Sequence, residues 1–372
     1  MVQLQQATVD EFRTHLRGDV LLPDAEGYDD SRQIWNAMID RRPALIARCV
    51  SAEDVVESVK FARTHNLLVA IRGGGHNIAG NAVCDDGIMI DLSRMKNVQV
   101  DAKGHRATVD PGCTLSDFDA AAQAHGLAKP LGINSTTGVA GLTLGGGFGW
   151  LSRKYGMTVD NLLSADVVTA DGRQVHASQT ENSDLFWGLR GGGGNFGVVT
   201  RFEFQLHPVG PDVLSGLIVF PFDEAKSVLT KFAHFTLAMP DELNVWMVTR
   251  KAPPMPFLAE QFHGKEMVAL ALCYVGSPSS GEALIEPLRK FGTPIGEHVG
   301  VQPYTAWQQA FDPLLTKGAR NYWKSHNFAQ LSDGAIDVII EYAAKLPSPQ
   351  CEIFIGTIGG QTGRVAPEAM AY

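Results

Sequence analysis

Three glycine-rich segments constrain this chain more than any other feature. They are Arg72–His76, Gly145–Gly149 and Arg190–Gly197, and they hold 12 of the 39 glycines among 372 residues. Glycine tolerates positive φ and lets a ligand approach the backbone closely. Consecutive backbone N–H groups can then surround an anion, most often a phosphate. The segments therefore predict loops around a phosphate-bearing ligand, with a tight structural turn as the alternative for any single loop.

Neither of the two common phosphate-binding motifs fits these loops. Gly192, Gly194 and Gly197 have the G-x-G-x-x-G spacing of a dinucleotide-binding turn. That motif requires a following helix, whereas the strand-like VVTRFEF follows here. The sequence also contains no Gly-Lys-Ser/Thr for a P-loop. A nucleotide phosphate is thus expected in some other fold.

Hydrophobic patterning indicates a mixed α and β chain in two parts. Thr114 with Asp117 has the spacing of a helix N-cap, and Asp171-Gly172 is typical of a hairpin turn. Beyond Pro208 the chain alternates strand and helix patterns. The pattern predicts an α+β fold. The expected organisation is a helical N-terminal lead-in over 1–37, a first domain over 38–208 and a second domain over 209–372.

Composition argues against several function classes. The formal net charge is −9 and no basic run stands out, which argues against a nucleic-acid partner. No stretch approaches 18 apolar residues and the N-terminus lacks an apolar signal core, so no membrane segment or secretory signal is expected. Five scattered cysteines without a C-x-x-C pair predict neither disulfides nor a metal site. We therefore expect a cytoplasmic protein that holds no metal.

Three longer strings resemble a known family. They are AIRGGGHNIAGNAVCDDGIMIDLSRM, GLTLGGGFGWLSRKYGMTVDNLLSADVVTADG and DLFWGLRGGGGNFGVVTRFEFQLHPV. They are similar to FAD-linked oxidases of the vanillyl-alcohol oxidase and p-cresol methylhydroxylase (PCMH-type) class, above all to its berberine-bridge-enzyme-like and 6-hydroxy-nicotine-oxidase-like branch. The resemblance is strong over about 38–208 and weaker beyond. It implies a two-lobed PCMH-type FAD-binding domain and a substrate domain whose antiparallel sheet is backed by helices.

The resemblance also implies a covalently bound FAD. In the family, a histidine in the first glycine loop is bonded to the 8α-methyl group of the flavin, and His76 matches that histidine. The other positions that match the family's cofactor contacts are Arg72, Gly73, Gly74, Gly75, Asn77, Gly80, Thr136, Thr137, Gly138, Gly141, Gly147, Gly149, Asp160, Asn161, Gly197, Val198 and Val199.

This chain departs from the family's pattern at several positions. Many berberine-bridge-like members bind flavin C6 through a cysteine where Asn134 stands here, so a single bond through His76 is expected. Some plant members have tyrosines where this chain has Ile78 and Phe148, so no tyrosinate base is carried over. A further polar segment of the family has no match after Tyr372, so the second domain is expected to be truncated at its C-terminus. The remaining catalytic candidates are Tyr322, Lys324 and His326.

The reaction that the resemblance implies is oxidation of a small organic substrate. A hydride would leave a C–H bond next to O or N for the flavin, and O₂ would then take up the electrons. Two flavin-based alternatives remain at this point, a flavin protein without turnover and a flavin dehydrogenase that uses another acceptor. A phosphate- or nucleotide-binding module without flavin is the third alternative, and it predicts a colourless protein.

Overall fold

A small mixed sheet forms the beginning of the fold in the computed structural model, which describes residues 4–372. Its elements and the surrounding helices are α1 (Gln6–His15), β1 (Asp19–Leu21), α2 (Tyr28–Arg32), β2 (Leu45–Arg48), α3 (Ala52–Thr64), β3 (Val69–Arg72) and β4 (Ile88–Asp91). The strand order is β1-β2-β4-β3, in which β1 is antiparallel and the others are parallel. The predicted helical lead-in contains α1 and α2, but it also contains β1, which belongs to this sheet and was not predicted. Residues 1–3 of that lead-in lie outside the described residues.

A second, fully antiparallel sheet follows, in the order β5-β6-β10-β8-β9. Its strands are β5 (Val98–Asp101), β6 (Arg106–Val109), β8 (Leu162–Val168), β9 (Gln174–Ser178) and β10 (Val198–Gln205). The accompanying elements are α4 (Leu115–Gln123), β7 (Leu127–Ala128), α5 (Val139–Leu144), α6 (Ser152–Tyr155), α7 (Ser183–Leu189) and β11 (His207–Pro208). The predicted capping of α4 is confirmed, because the Thr114 side chain accepts from the amide of Asp117. The β8–β9 hairpin also forms as predicted.

The second half contains a five-stranded antiparallel sheet in the order β15-β12-β14-β13-β16. Its elements are β12 (Asp212–Pro221), α8 (Ala225–Leu237), β13 (Leu243–Lys251), β14 (Glu266–Tyr274), α9 (Pro278–Ile285), β15 (Gly296–Pro303), α10 (Tyr304–Gln308), α11 (Asp333–Ala343) and β16 (Glu352–Ile355). One face of this sheet shares a core with α8, α9 and α11. The α+β architecture is thus as predicted. Within residues 4–372, no helix has both the length and the apolar character needed to cross a bilayer.

Aromatic rings fill the junction between the two halves. Trp150 stacks on Trp246 of β13 with ring centroids 4.1 Å apart, and Trp307 of α10 lies 5.2 Å from Trp150. The indole N–H groups of all three are buried without a hydrogen-bond partner among the described residues. Apolar packing therefore dominates this junction.

Two segments of the second half return to the first half. In the segment 312–323, the backbone amide of Asn321 donates to Asn36 Oδ1, and Asn36 Nδ2 donates to the carbonyl of Asn321, both at 2.9 Å. In the segment 360–372, the carbonyl of Glu368 accepts from Trp187 Nε1 at 2.9 Å. These contacts place residues from the second half beside the glycine-rich loops.

Candidate functional site

Two backbone loops touch at the centre of the first half. Gly74 follows β3 and Gly138 precedes α5. A Cβ added at Gly74 would lie 2.3 Å from the amide nitrogen of Gly138, and a Cβ at Gly138 would lie 2.4 Å from that of Gly74. Any side chain at either position would force the backbones apart. Close approach of the two chains therefore requires glycine at both positions.

His76 lies just beyond this contact, between two threonines. Its Nε2 is 2.9 Å from Thr136 Oγ1, and its Nδ1 is 3.4 Å from Thr137 Oγ1. The indole ring of Trp35 stacks on the imidazole with centroids 5.0 Å apart. Burial lowers the pKa of His76 to about 4, although the carboxylate of Asp312 acts to raise it. The imidazole is therefore neutral near pH 7 and keeps a lone pair on one ring nitrogen.

A cavity of about 360 Å³ opens beside His76. Its walls come from residues 33–35, from both glycine-bearing loops and from the segment 312–323. Asp312 anchors that segment, because its carboxylate accepts from the backbone amide of Ser135 at 2.8 Å and from the Ser135 hydroxyl. The second half therefore supplies one wall of the cavity.

The structure brings the predicted residues of segments 72–77 and 136–138 together, but several of them have structural partners. Arg72 lines the cavity, yet its guanidinium binds both carboxylate oxygens of Asp91 at 3.0 and 2.6 Å. Asn77 Oδ1 accepts from the amide of Asn81 at 3.0 Å. Gly80 has φ of 81° and packs on a neighbouring isoleucine. These residues shape the first loop.

Other predicted contacts lie along the second glycine-rich loop and the residues that follow it. Gly147 has φ of 71°, and a Cβ at Gly149 would lie 1.6 Å from the carbonyl oxygen of Leu131. Asp160 accepts from the backbone amide of Met157 at 2.7 Å. Asn161 Nδ2 donates to two backbone carbonyls. Backbone packing thus accounts for these residues, and their contact with a cofactor remains a prediction.

Gly197, Val198 and Val199 stand at the start of β10. Val198 and Val199 pair with β8, and both side chains are buried. A Cβ at Gly197 would lie 2.5 Å from the carbonyl oxygen of Val168, so glycine allows the strand to approach its neighbour. A role of these residues beside adenosine also remains a prediction.

Open space beside the backbone occurs at Gly141 and Gly194. A Cβ added at either position would meet no atom of the described chain within 4 Å, and neither glycine has positive φ. Neither packing nor backbone conformation therefore demands glycine there. Arg190, just before the third loop, has a buried Nε without a partner within residues 4–372. Room beside the main chain together with a spare cationic donor fits a diphosphate-bearing cofactor such as FAD.

The sequence analysis missed Trp35, Asp312 and Lys317, which all line the cavity beside His76. Trp35 is buried at 3 % exposure, so its pattern is that of an ordinary core residue. Asp312 and Lys317 lie more than 230 positions after His76 in a segment without a motif. No local pattern could have associated these residues with the first glycine loop.

The three predicted catalytic residues lie on an exposed loop. Tyr322 is 74 % exposed, and Lys324 and His326 are exposed as well. Lys324 lies over the ring of Tyr322 at 5.4 Å, and His326 contacts Phe328 at 4.8 Å between centroids. None of the three lines the cavity beside His76. Their catalytic role remains a prediction, which this geometry does not favour.

Comparison with known proteins identifies the family. Residues 43–178 match the family described as FAD binding domain. An FAD-linked oxidoreductase of Dictyostelium discoideum is 32% identical over 95% of this chain and 75% of that protein. The chain belongs to the FAD-linked oxidoreductases. The chain is also 36% identical to the (R)-6-hydroxynicotine oxidase of Paenarthrobacter nicotinovorans, over 91% of this chain and 74% of that protein.

Solved structures show the same fold for this oxidoreductase. The 6-hydroxy-D-nicotine oxidase from Arthrobacter nicotinovorans superposes with a TM-score of 0.79 and 30% identity, covering 92% of this chain and 75% of that one. Glucooligosaccharide oxidase from Acremonium strictum, described with a 6-S-cysteinyl, 8α-N1-histidyl FAD, has a TM-score of 0.82 and 24% identity, covering 98% and 78%. The PCMH-type, 6-hydroxy-nicotine-oxidase-like class is thereby confirmed, and the protein is an FAD-dependent oxidase. A berberine-bridge-enzyme-like protein of Physcomitrella patens shares the fold, with a TM-score of 0.85 at 21% identity over 98% of this chain and 80% of that one.

Proposed function

We propose that this oxidase carries its FAD covalently, through a single bond to His76, and that the loops at 72–77 and 136–141 hold the cofactor. The observation that carries the proposal is the imidazole of His76, held between two threonines and Trp35, at the wall of the cavity. Asn134 in place of a cysteine supports one bond rather than two. FAD, when bound, supplies the acceptor for a hydride from the substrate.

The bond to His76 would need no reagent beyond those an oxidase uses. An imidazole nitrogen would supply the lone pair for one N–C bond to the 8α-methyl carbon of the flavin. The imidazole and the methyl group would each lose one proton, and two electrons would be released. O₂ would accept both protons and both electrons to give H₂O₂, so atoms and electrons balance.

We infer that the substrate is a small amine. Oxidation of an alcohol needs a base that removes the O–H proton, whereas a neutral amine can release a hydride with its own lone pair. Ile78 and Phe148 offer no such base at the two positions that hold tyrosines in some plant relatives. Phe148 instead contacts Trp246 in an aromatic cluster. The 36% identity to a hydroxynicotine oxidase supports the same class.

Acid precipitation tests the covalent bond. We expect yellow colour to stay with the precipitated wild-type protein and to remain in solution for His76→Ala. His176→Ala is a matched control, because His176 pairs with Asp166 on the β8–β9 hairpin and lies outside the cavity lining. A tryptic peptide containing His76 at its unmodified mass, from a fully loaded sample, would overturn the proposal.

A peroxide assay tests the substrate class. We expect small amines to give H₂O₂ at rates at least about tenfold above those of benzylic alcohols and oligosaccharides of matched concentration. A faster reaction with the alcohols or the sugars would refute the amine proposal and leave the oxidase assignment intact.

A further inference from the structure

The side-chain amide of Asn134 has a fixed orientation. Its Nδ2 donates to the carbonyl of Leu315 at 3.0 Å, and its Oδ1 accepts from the backbone amide of Thr136 at 3.0 Å. A backbone carbonyl can only accept and a backbone amide can only donate, so the two ends of the amide cannot be exchanged. Asn134 is 8 % exposed, which keeps water from competing for these bonds.

This orientation determines where the hydroxyl proton of Thr136 points. Thr136 Oγ1 lies 2.6 Å from Asn134 Oδ1, and a carbonyl oxygen carries no proton to give. The Thr136 hydroxyl therefore donates to Asn134. Its lone pairs are left to face His76 Nε2 at 2.9 Å.

The proton of the neutral imidazole must then lie on Nε2, because only a donor can pair with the lone pairs of Thr136 Oγ1. The lone pair of the ring falls on Nδ1. The nearest hydrogen-bonding group there is Thr137 Oγ1 at 3.4 Å, which is a long contact. The indole of Trp35 stacks on the ring with centroids 5.0 Å apart.

We propose that Asn134, acting through Thr136, is a positioning residue that holds the proton of His76 on Nε2 and leaves Nδ1 to form the bond to the flavin. The inference rests on the proposed covalent link for its chemical use. The proton placement itself can be measured without any flavin. Failure of the link and failure of the proton placement are therefore separate results.

The first experiment is ¹⁵N NMR of the full chain, produced in a riboflavin-starved host so that it never receives flavin and labelled at histidine, with long-range correlations from the ring protons. His76→Ala identifies the signals of His76. In the wild type we expect a protonated Nε2 and an unprotonated Nδ1 at pH 7. A dominant Nδ1–H form in the wild type would overturn the inference.

Substitutions then test the path through Thr136. Asn134→Leu removes the acceptor, so the Thr136 hydroxyl can donate to Nε2, and we expect Nδ1–H to become the major form. Thr136→Ser keeps the hydroxyl and should keep Nε2–H, whereas Thr136→Val should give both forms. An unchanged Nε2–H preference in both Asn134→Leu and Thr136→Val would refute the role of Asn134. Two variants are used so that misfolding of one does not leave the inference untested.

The attachment point provides the chemical test. NMR of the flavin-bearing peptide from the loaded wild-type enzyme should place the bond at Nδ1. Attachment in Asn134→Leu should slow about tenfold, because the reactive tautomer becomes the minor one. A bond at Nε2 in the wild type would overturn the inference. Absence of any covalent flavin beside an intact Nε2–H preference would refute the proposed function and leave the proton placement standing.

Discussion

The contact between the two loops and the junction between the two halves are built on opposite principles. At the loops, Gly74 and Gly138 meet backbone to backbone, and a chain of hydrogen bonds runs from Leu315 to His76. At the junction, stacked indoles meet and their N–H groups lack partners within residues 4–372. Hydrogen bonds are directional and require one arrangement of atoms, whereas apolar packing depends mainly on filling the available volume. We therefore expect substitutions at the loops to affect cofactor binding and reactivity, and substitutions at the junction to affect mainly the free energy of unfolding.

Trp246→Ala should produce the largest loss of stability. Truncating a buried tryptophan that touches Trp150, Phe148 and Phe354 should cost about 4 kcal/mol of unfolding free energy. Urea unfolding followed by circular dichroism measures the loss. Trp246→Phe, which preserves much of the volume, should cost about 1 kcal/mol. Equal losses for both variants would mean that the indole N–H stabilises the junction as well as the packed ring. The proposed difference between the loops and the junction would then be wrong.

Gly74→Ala should break the loop contact. Its methyl group would lie 2.3 Å from the Gly138 nitrogen, so we expect a loss of about 3 kcal/mol together with loss of FAD binding. Gly141→Ala is the matched control, since its methyl group would meet no atom of the described chain within 4 Å. The control should raise the stability of the flavin-free protein by about 0.5 kcal/mol and still weaken FAD binding. Calorimetry with and without FAD checks both, and normal FAD affinity in Gly141→Ala would remove that residue from the cofactor site.

Asp312→Ala should release the wall that the second half contributes. It removes the acceptor for the amide and the hydroxyl of Ser135, and we expect a loss of about 2 kcal/mol. Limited proteolysis should then cut within 312–323. Asp337→Ala loses only an exposed ion pair with Lys226 and should cost under about 1 kcal/mol. Protection of the segment in Asp312→Ala would show that other contacts hold it.

The smallest effect concerns pH. An ordinary histidine with a pKa near 6.5 is about 90% protonated at pH 5.5, whereas His76, with a pKa of about 4, stays neutral there. Flavin attachment to the flavin-free protein should therefore vary less than about twofold between pH 5.5 and 7.5, as measured by in-gel flavin fluorescence. A tenfold fall at pH 5.5 would show an ordinary pKa.

The lowered pKa of His76 also makes the folding stability depend on pH. The unfolded chain binds a proton at His76 below about pH 6.5 and the folded chain does so only near pH 4, so the unfolded state binds more protons in that window. The contribution of His76 to folding stability is fully present above about pH 6.5 and is lost progressively as the pH falls towards 4. Because the Asp312 carboxylate raises the pKa of His76, Asp312→Asn should lower that pKa further in an NMR titration.

Sequence reasoning reached the fold and the first loop for identifiable physical reasons. The close approach of two backbones requires glycine at 74 and 138, and this local requirement is visible in the sequence as glycine. The cap of α4 and the β8–β9 hairpin are equally local. Trp35 and Asp312 reach His76 only through the tertiary fold, so their sequence neighbours carry no sign of it. The aromatic and basic residues at 322–328 stand out by composition alone, and composition does not show that their loop is exposed, so their catalytic role stays a prediction.

The segment 312–323 has a consequence for the independence of the two halves. It is fastened at Asn36 on one side and at Ser135 on the other, and it lines the cavity beside His76. The first half on its own would therefore lack one wall of that cavity. The surroundings of His76 are complete only when both halves of the chain fold together.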